Sequence, residues 1–181
     1  MRSFYVWDAF VRIFHWSLAG LFLANAIFLD PDAQIHRWVG YGVMALVLLR
    51  LVWGFVGSEH ARFKNFPPDA RHSMEQIKDM IAGRQKPHAG HSPLGALMIY
   101  NLFATILAIG ATGYLMTTNT FWGVAWPEEL HEALVTWAEI SVALHILAVI
   151  FESHRNKVDL AGSMVTGYKE LPIQHSQEPQ N

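Results

Sequence analysis

Four apolar stretches, at about residues 9–29, 36–57, 94–117 and 130–152, constrain this 181-residue chain more than any other feature. Each has the length, about 20 residues, that a helix needs to cross the hydrocarbon of a bilayer. Backbone polar groups find no water there, so such stretches fold as helices that satisfy their own hydrogen bonds. Composition agrees: 52% of residues are hydrophobic and 15% charged, apolar-heavy for a soluble domain. Between the first two stretches "DPDAQ" is a short polar turn with a helix-breaking proline. Before the fourth, Pro127 followed by Glu128 and Glu129 reads as a helix start. Trp122 and Trp126 beside it suit an interfacial aromatic belt. No internal repeat or low-complexity run interrupts the pattern. The expected fold is all-α, one four-helix transmembrane bundle over residues 1–169. The polar chain beyond Gly167 is expected to be loose, with 170–181 a flexible tail.

The connection from about 58 to 93 is long, polar and basic. Within it "PDARHSMEQIKDMIAG" predicts a short amphipathic helix on the membrane surface. Met74, Ile77, Met80 and Ile81 fall on one side, and Gly83 is the stop. Segments 1–12, 50–93 and 153–169 hold twelve of the thirteen lysines and arginines, and only Arg37 lies on the other side. That bias places the N-terminus, the long loop and the C-terminus in the cytoplasm. Asp8, Arg12 and His15 interrupt the first apolar run, and no small-residue cleavage site follows, so a cleaved signal peptide is not expected. The net charge of −2 gives no reason to expect nucleic acid.

The chain has ten histidines and no cysteine. The missing thiols exclude disulfides, thiolate catalysis, iron–sulfur clusters and covalent c-type haem. An imidazole within a span is costly and marks a functional candidate. Span one rises from the cytoplasmic side, so His15 falls in the inner half. Span two starts outside, so His36 falls at the outer edge. Span four descends, so His131 is outer and His145 inner. Four histidines thus form two pairs by depth, His15 with His145 and His36 with His131. His131 and His145 are fourteen residues apart, about 21 Å along a helix and close to four whole turns, so both face the same way.

Two opposed histidines at one level can ligate a flat macrocycle axially. The natural cofactor is haem b, held non-covalently, with one bis-histidine site per level. Two other readings stand beside it. A lone histidine in a span often makes a helix–helix hydrogen bond, although that does not account for four paired in depth. A divalent-metal transporter also uses histidine, but its ligands converge on one midplane site, whereas these pairs are about 21 Å apart.

The segments "VWDAFVRIFHWSL", "HRWVGYGVMALVLLRLVWGFVG", "ARF", "GHSPLGALM", "GYLMT", "FWGVAWPEELHEAL" and "LHILAVIFES" together resemble the bacterial cytochrome b561 family. That family includes the b-type cytochrome subunits of nickel–iron hydrogenases. The resemblance runs from about residue 5 to 169. It implies a multi-pass protein of the bacterial inner membrane that binds two haem b groups and exchanges electrons with the quinone pool. It places the ligands on the same residues, His15, His36, His131 and His145. Where the family often has "GHNPLG" this chain has "GHSPLG", and Ser92 serves equally well before a helix that begins with proline.

Several residues are candidates to support such sites. Gly40 and Gly42 follow His36, and Gly110 and Gly113 lie in span three; small residues admit either a neighbouring helix or a flat cofactor. Arg12 and Arg50, near the cytoplasmic surface, suit haem propionates or snorkelling to headgroups. Arg37, beside His36, is the better candidate for an outer propionate. His91, at the cytoplasmic start of span three, is a candidate for a quinone hydrogen bond. His88 reads as a solvated loop residue, and His60 and His72 as surface residues. Glu139 lies in the middle of span four, about 80° around the helix from His131. It reads either as a proton-relay residue or as a protonated acid bonded across helices, with Asn101 or Thr105 as partner.

Three functions follow. The first is an electron carrier between quinone and a periplasmic c-type cytochrome or hydrogenase-type subunit. The second is a stand-alone oxidoreductase that reduces quinone with a small diffusible donor such as superoxide, which has precedent in the family. The third is a non-haem transporter or structural bundle. Asp30, Asp32, Glu128, Glu129 and Glu132 make the outer loops acidic, which favours a basic protein partner over an anionic donor.

Overall fold

The computed structural model describes residues 2–84 and 90–171. His88, His175 and residues 172–181 of the expected tail lie outside them. Four helices are long and apolar enough to cross a membrane: α1 (Ala9–Leu23, continued by a π-helical turn Ala24–Phe28), α2 (Gln34–Val56), α4 (Pro93–Met116) and α5 (Ala125–Asn156). Between them lie two single 3-10 turns, Glu59–Ala61 and Phe63–Asn65, and the short helix α3 (Ala70–Ile81). After α5 come α6 (Leu160–Thr166) and the strand β2 (Tyr168–Leu171).

Helix ends follow local chemistry. Asp8 caps α1 by accepting the Val11 N–H at 2.8 Å, and Asp69 caps α3 through the Arg71 and His72 N–H groups. Ser92 caps α4 by accepting the Gly95 N–H, with Pro93 at the first helical position; each such cap satisfies donors the helix itself leaves open. Gly83 ends α3 with φ +73°, a left-handed conformation that glycine adopts without strain. α5 begins at Ala125, earlier than expected, so Pro127 is its third residue. Proline is tolerated there because the first-turn N–H groups have no partner inside the helix.

The chain is not purely helical. β2 pairs antiparallel with β1 (Arg2–Tyr5), from Arg2 opposite Leu171 to Tyr5 opposite Tyr168. Chain expected to be loose is therefore ordered through Leu171, because it completes a ladder with the N-terminus. The Gly167 carbonyl accepts from the Val6 and Trp7 N–H groups, and the Trp7 indole donates to Ser163 at 3.2 Å. Both described ends thus lie at one end of the bundle, with α3 and α6. At that end Val6, Trp7, Val11 and Ala61 form a small core that Trp53 and Met164 join. The main core, Phe14, Val43, Val47, Phe103 and Ile106, binds α1, α2 and α4 together. Little of each span is buried, and large apolar side chains such as Leu48, Phe55, Leu147 and Ile150 are exposed, as lipid-facing helices require.

The loop helix α3 sits closer to the bundle than its sequence suggests. Ser73 is buried and Gln76 donates to Glu152 of α5. Its glutamine oxygen accepts the Leu94 N–H of α4. Met74 and Ile81 stay exposed, while Ile77 and Met80 turn partly inward.

Candidate functional site

The four span histidines meet in the two expected pairs. His15 of α1 and His145 of α5 have ring centroids 6.4 Å apart and planes at 60°. His36 of α2 and His131 of α5 are also 6.4 Å apart, at 64°. All four are half-buried. α5 therefore brings one imidazole to each of two levels, and a different helix meets it at each. Among the four membrane-length helices the extensive pairings are α4 with α5, α1 with α2 and α2 with α4. Among the described residues α5 has no packing of that extent against α1 or α2, so the histidines face one another across the opening between them.

This separation suits one metal between each pair. An imidazole nitrogen lies about 2.0 Å from a first-row metal and about 1.1 Å from its own ring centre, so two imidazoles holding one ion from opposite sides would have centroids about 6.2 Å apart. The Nδ1 atoms of His15 and His36 are buried with no protein partner. His131 is held differently. Its Nδ1 lies 3.0 Å from the Ile109 carbonyl oxygen and 3.1 Å from the Thr112 hydroxyl. A carbonyl only accepts, so Nδ1 carries the proton and Nε2 keeps the lone pair that a metal needs. A Cβ on Gly113 would come within 3.2 Å of the His131 ring, so the glycine makes room for the imidazole. Among the described residues no three histidine, cysteine or acidic side chains converge to hold an ion; the arrangement is pairwise. Two imidazoles on opposite sides of a planar metal centre are the donor set of a bis-histidine haem, and this pair geometry fits one.

The supporting candidates separate. Arg37 is exposed, one residue from His36. Arg12 donates to the Val165 carbonyl at 2.6 Å, and its Nε is buried without a partner. Arg50 does not snorkel. It is 3% exposed, donates to the Ala61 carbonyl at 3.0 Å and lies over the Phe63 ring, because the 58–66 loop folds back over the end of α2. A Cβ on Gly40 would make ordinary contact with the Asn25 amide nitrogen; the Asn25 side-chain oxygen, in the π-helical turn, is buried and unpartnered. A Cβ on Gly42 would meet no described atom, and one on Gly110 would collide with the Met44 thioether.

The His91 ring packs between Trp7 (4.7 Å) and Phe66 (4.2 Å). Burial, then the positive charges of Arg50, Lys169 and His60, push its pKa down to about 3. His60, expected at the surface, is half-buried beside Gly90, while His72 is exposed and paired with Asp69 at 2.6 Å. Glu139 is exposed in mid-span. The partners expected for it are engaged elsewhere: Asn101 accepts from the Trp137 indole and donates to Ser141, and Thr105 donates to the Asn101 carbonyl. A cleft of about 130 Å³ between α3 and the ends of α4 and α5 is lined by Gln76, Asp79, Glu152 and Arg155 among others, and by none of the four span histidines.

Sequence reasoning missed Asn25 and the Ile109–Thr112 contact to His131. Thr112 lies in the second half of span three, at the level of His131, so depth matching extended from histidines to hydroxyl residues finds it.

Known proteins add to this geometry. The chain is 25% identical to a probable Ni/Fe-hydrogenase B-type cytochrome subunit of Rhizobium leguminosarum bv. viciae, covering 92% of this chain and 88% of that one. It is 22% identical to the protein of the same name from Cupriavidus necator, covering 93% and 88%. No solved structure matches the chain. The profile of a family described as prokaryotic cytochrome b561 matches residues 6–167, which include all four span histidines and all four membrane-length helices. With a b-type cytochrome family matched along nearly its whole length and imidazoles paired across its helices, this chain belongs to the prokaryotic cytochrome b561 family, multi-pass membrane proteins in which haem b serves electron transfer.

Proposed function

We propose that this protein is a di-haem electron carrier of the bacterial inner membrane. In this reading His15 and His145 ligate one haem b, His36 and His131 ligate the other, and electrons pass between the quinone pool and a redox protein on the outer face. The observation that carries it is the equal 6.4 Å separation of the two histidine pairs. The bound haems supply reversible one-electron chemistry. The chain's own residues do the rest. The paired imidazoles would hold each haem iron from both sides, which would suit electron transfer rather than binding of a small ligand at iron. The apolar side chains of α1, α2 and α4 form the packed interior, and Arg37, exposed and next to His36 in the chain, would be the partner of an outer propionate.

The partner side follows from charge and from the relatives. Asp30, Asp32, Glu128, Glu129 and Glu132 are all exposed, at the end of the bundle opposite the β1–β2 ribbon. The lysine and arginine bias puts that end outside. An acidic outer face draws a basic partner. The names of the relatives make a hydrogenase-type subunit the first candidate, and a periplasmic c-type cytochrome the second.

Single replacement of each histidine by alanine tests the ligand assignment. His15→Ala and His145→Ala are expected to remove the same haem, His36→Ala and His131→Ala the other, each halving the reduced-minus-oxidised absorbance. Variants that keep both haems, or that pair differently, contradict it.

A further inference from the structure

The two sites are not equivalent in what stands behind their imidazoles. The Nδ1 atoms of His15 and His36 are buried without a protein partner, whereas that of His131 faces two oxygens of α4. Thr112 is 5% exposed, and its hydroxyl lies 2.9 Å from both the Ala108 and the Ile109 carbonyl oxygens. A hydroxyl has one proton, so Thr112 spends it on those carbonyls and turns a lone pair toward His131. The His131 Nδ1–H thus donates into a fork formed by the Thr112 hydroxyl and the Ile109 carbonyl, at 3.1 and 3.0 Å. The carbonyl belongs to the helix backbone. The hydroxyl is the part of the fork that a side chain sets.

We propose that Thr112 is a positioning residue for the outer haem: its hydroxyl orients His131 and increases the electron donation of that imidazole, which lowers the potential of the outer site relative to the same site without it. The inference rests on the bis-histidine reading above. Its physical basis is that a ligand imidazole whose other N–H is hydrogen-bonded is fixed in tautomer and orientation and is the stronger base. A stronger base favours the oxidised, more positive iron. Thr112 is buried, and a hydrogen bond in surroundings of low polarity is the stronger for it. Gly113 contributes by leaving the ring its place against α4.

The experiment is a potentiometric titration of the haem-loaded full chain, with each haem followed by its absorbance and His131→Ala identifying the outer one. Thr112→Val keeps the shape and removes the hydroxyl; Thr112→Ser keeps the hydroxyl. Thr105→Val, which removes a buried hydroxyl that donates to the Asn101 carbonyl and, among the described residues, to no ligand candidate, is the control for packing. At a fixed potential near the midpoint, Thr112→Val is expected to raise the reduced-to-oxidised ratio of the outer haem about tenfold. That ratio is an upward shift of about 59 mV for one electron. Thr112→Ser and Thr105→Val are expected to leave it near the unsubstituted value, and the inner haem unmoved in all three. Loss of the outer haem alone in Thr112→Val, restored in Thr112→Ser, supports the same role. Two loaded haems with unmoved midpoints in Thr112→Val overturn the inference and leave the ligand reading intact. A chain that never holds a pair of b haems overturns both, and haem content distinguishes the two failures.

Discussion

His91 stands two residues before a membrane-length helix, with its ring closed between Trp7 and Phe66 and three basic groups, Arg50, Lys169 and His60, close enough to disfavour its protonation. A base whose folded pKa is pushed down to about 3, against about 6.5 in the unfolded chain, stays neutral in the fold while the unfolded chain takes up a proton. The stability tied to the neutral ring is complete above pH about 6.5 and is lost progressively as pH falls toward about 3. Thermal unfolding of the detergent-solubilised protein between pH 7.5 and 4.5 is expected to fall more steeply for the native chain than for His91→Phe. Parallel curves would contradict this. Lys169 belongs to the same cluster. It is buried, and burial lowers its pKa while Glu152 opposes the shift. Residue placement was legible in the sequence where depth alone decides it, as for the pairing of the four span histidines. They were not legible where the fold turns a residue back on its own loop. Arg50 reads as a membrane-surface cation, yet it lies under the 58–66 segment; His60 reads as a loop residue, yet it is half-buried beside Gly90.

At the scale of elements, hydrophobic length and helix-cap chemistry placed the four spans and α3 within a few residues. The ribbon of β1 and β2 left no such signal. Four residues at each end pair across more than 160 positions of chain, and neither segment is long enough for alternation to be read. The fold-back of the 58–66 loop was equally silent, because it depends on one glycine. A Cβ on Gly54 would fall inside the Phe63 ring, and that ring also packs on Phe55, Phe66, Tyr100 and Phe103. Gly54→Ala therefore forces aromatic packing apart, a change that costs about 1–3 kcal/mol in a filled core. It is expected to lower the unfolding temperature without changing the haem content, and Gly54→Ala combined with Phe63→Leu is expected to recover part of the loss. An unchanged unfolding temperature in Gly54→Ala would show that the loop does not dock as described. Asp8 ties the same region together: it caps α1 and accepts from the Trp53 indole and the Ser58 hydroxyl. Burial alone would raise its pKa, but these hydrogen bonds and the charge of Arg50 outweigh that and hold the carboxyl below its usual value.

The whole molecule divides into two ends with different tasks. One end gathers both described chain ends, the described part of the long loop and α6 around the small core of Val6, Trp7, Val11 and Ala61. The other presents short acidic connections and the exposed Trp122 and Trp126. Between them α5 carries one imidazole for each level. The pairing was legible because helical geometry converts sequence distance into depth and direction. The second oxygen behind His131 was not, because it belongs to the backbone of a different helix. The account stands on two haem sites in one chain, and haem content tests that most directly. The chain purified in detergent after haem-replete expression is to be assayed for haem per polypeptide, with its reduced-minus-oxidised spectrum. Two non-covalent b-type haems per chain are predicted. One haem would mean that one histidine pair is not a ligand pair, and none would contradict the electron-transfer account of this bundle.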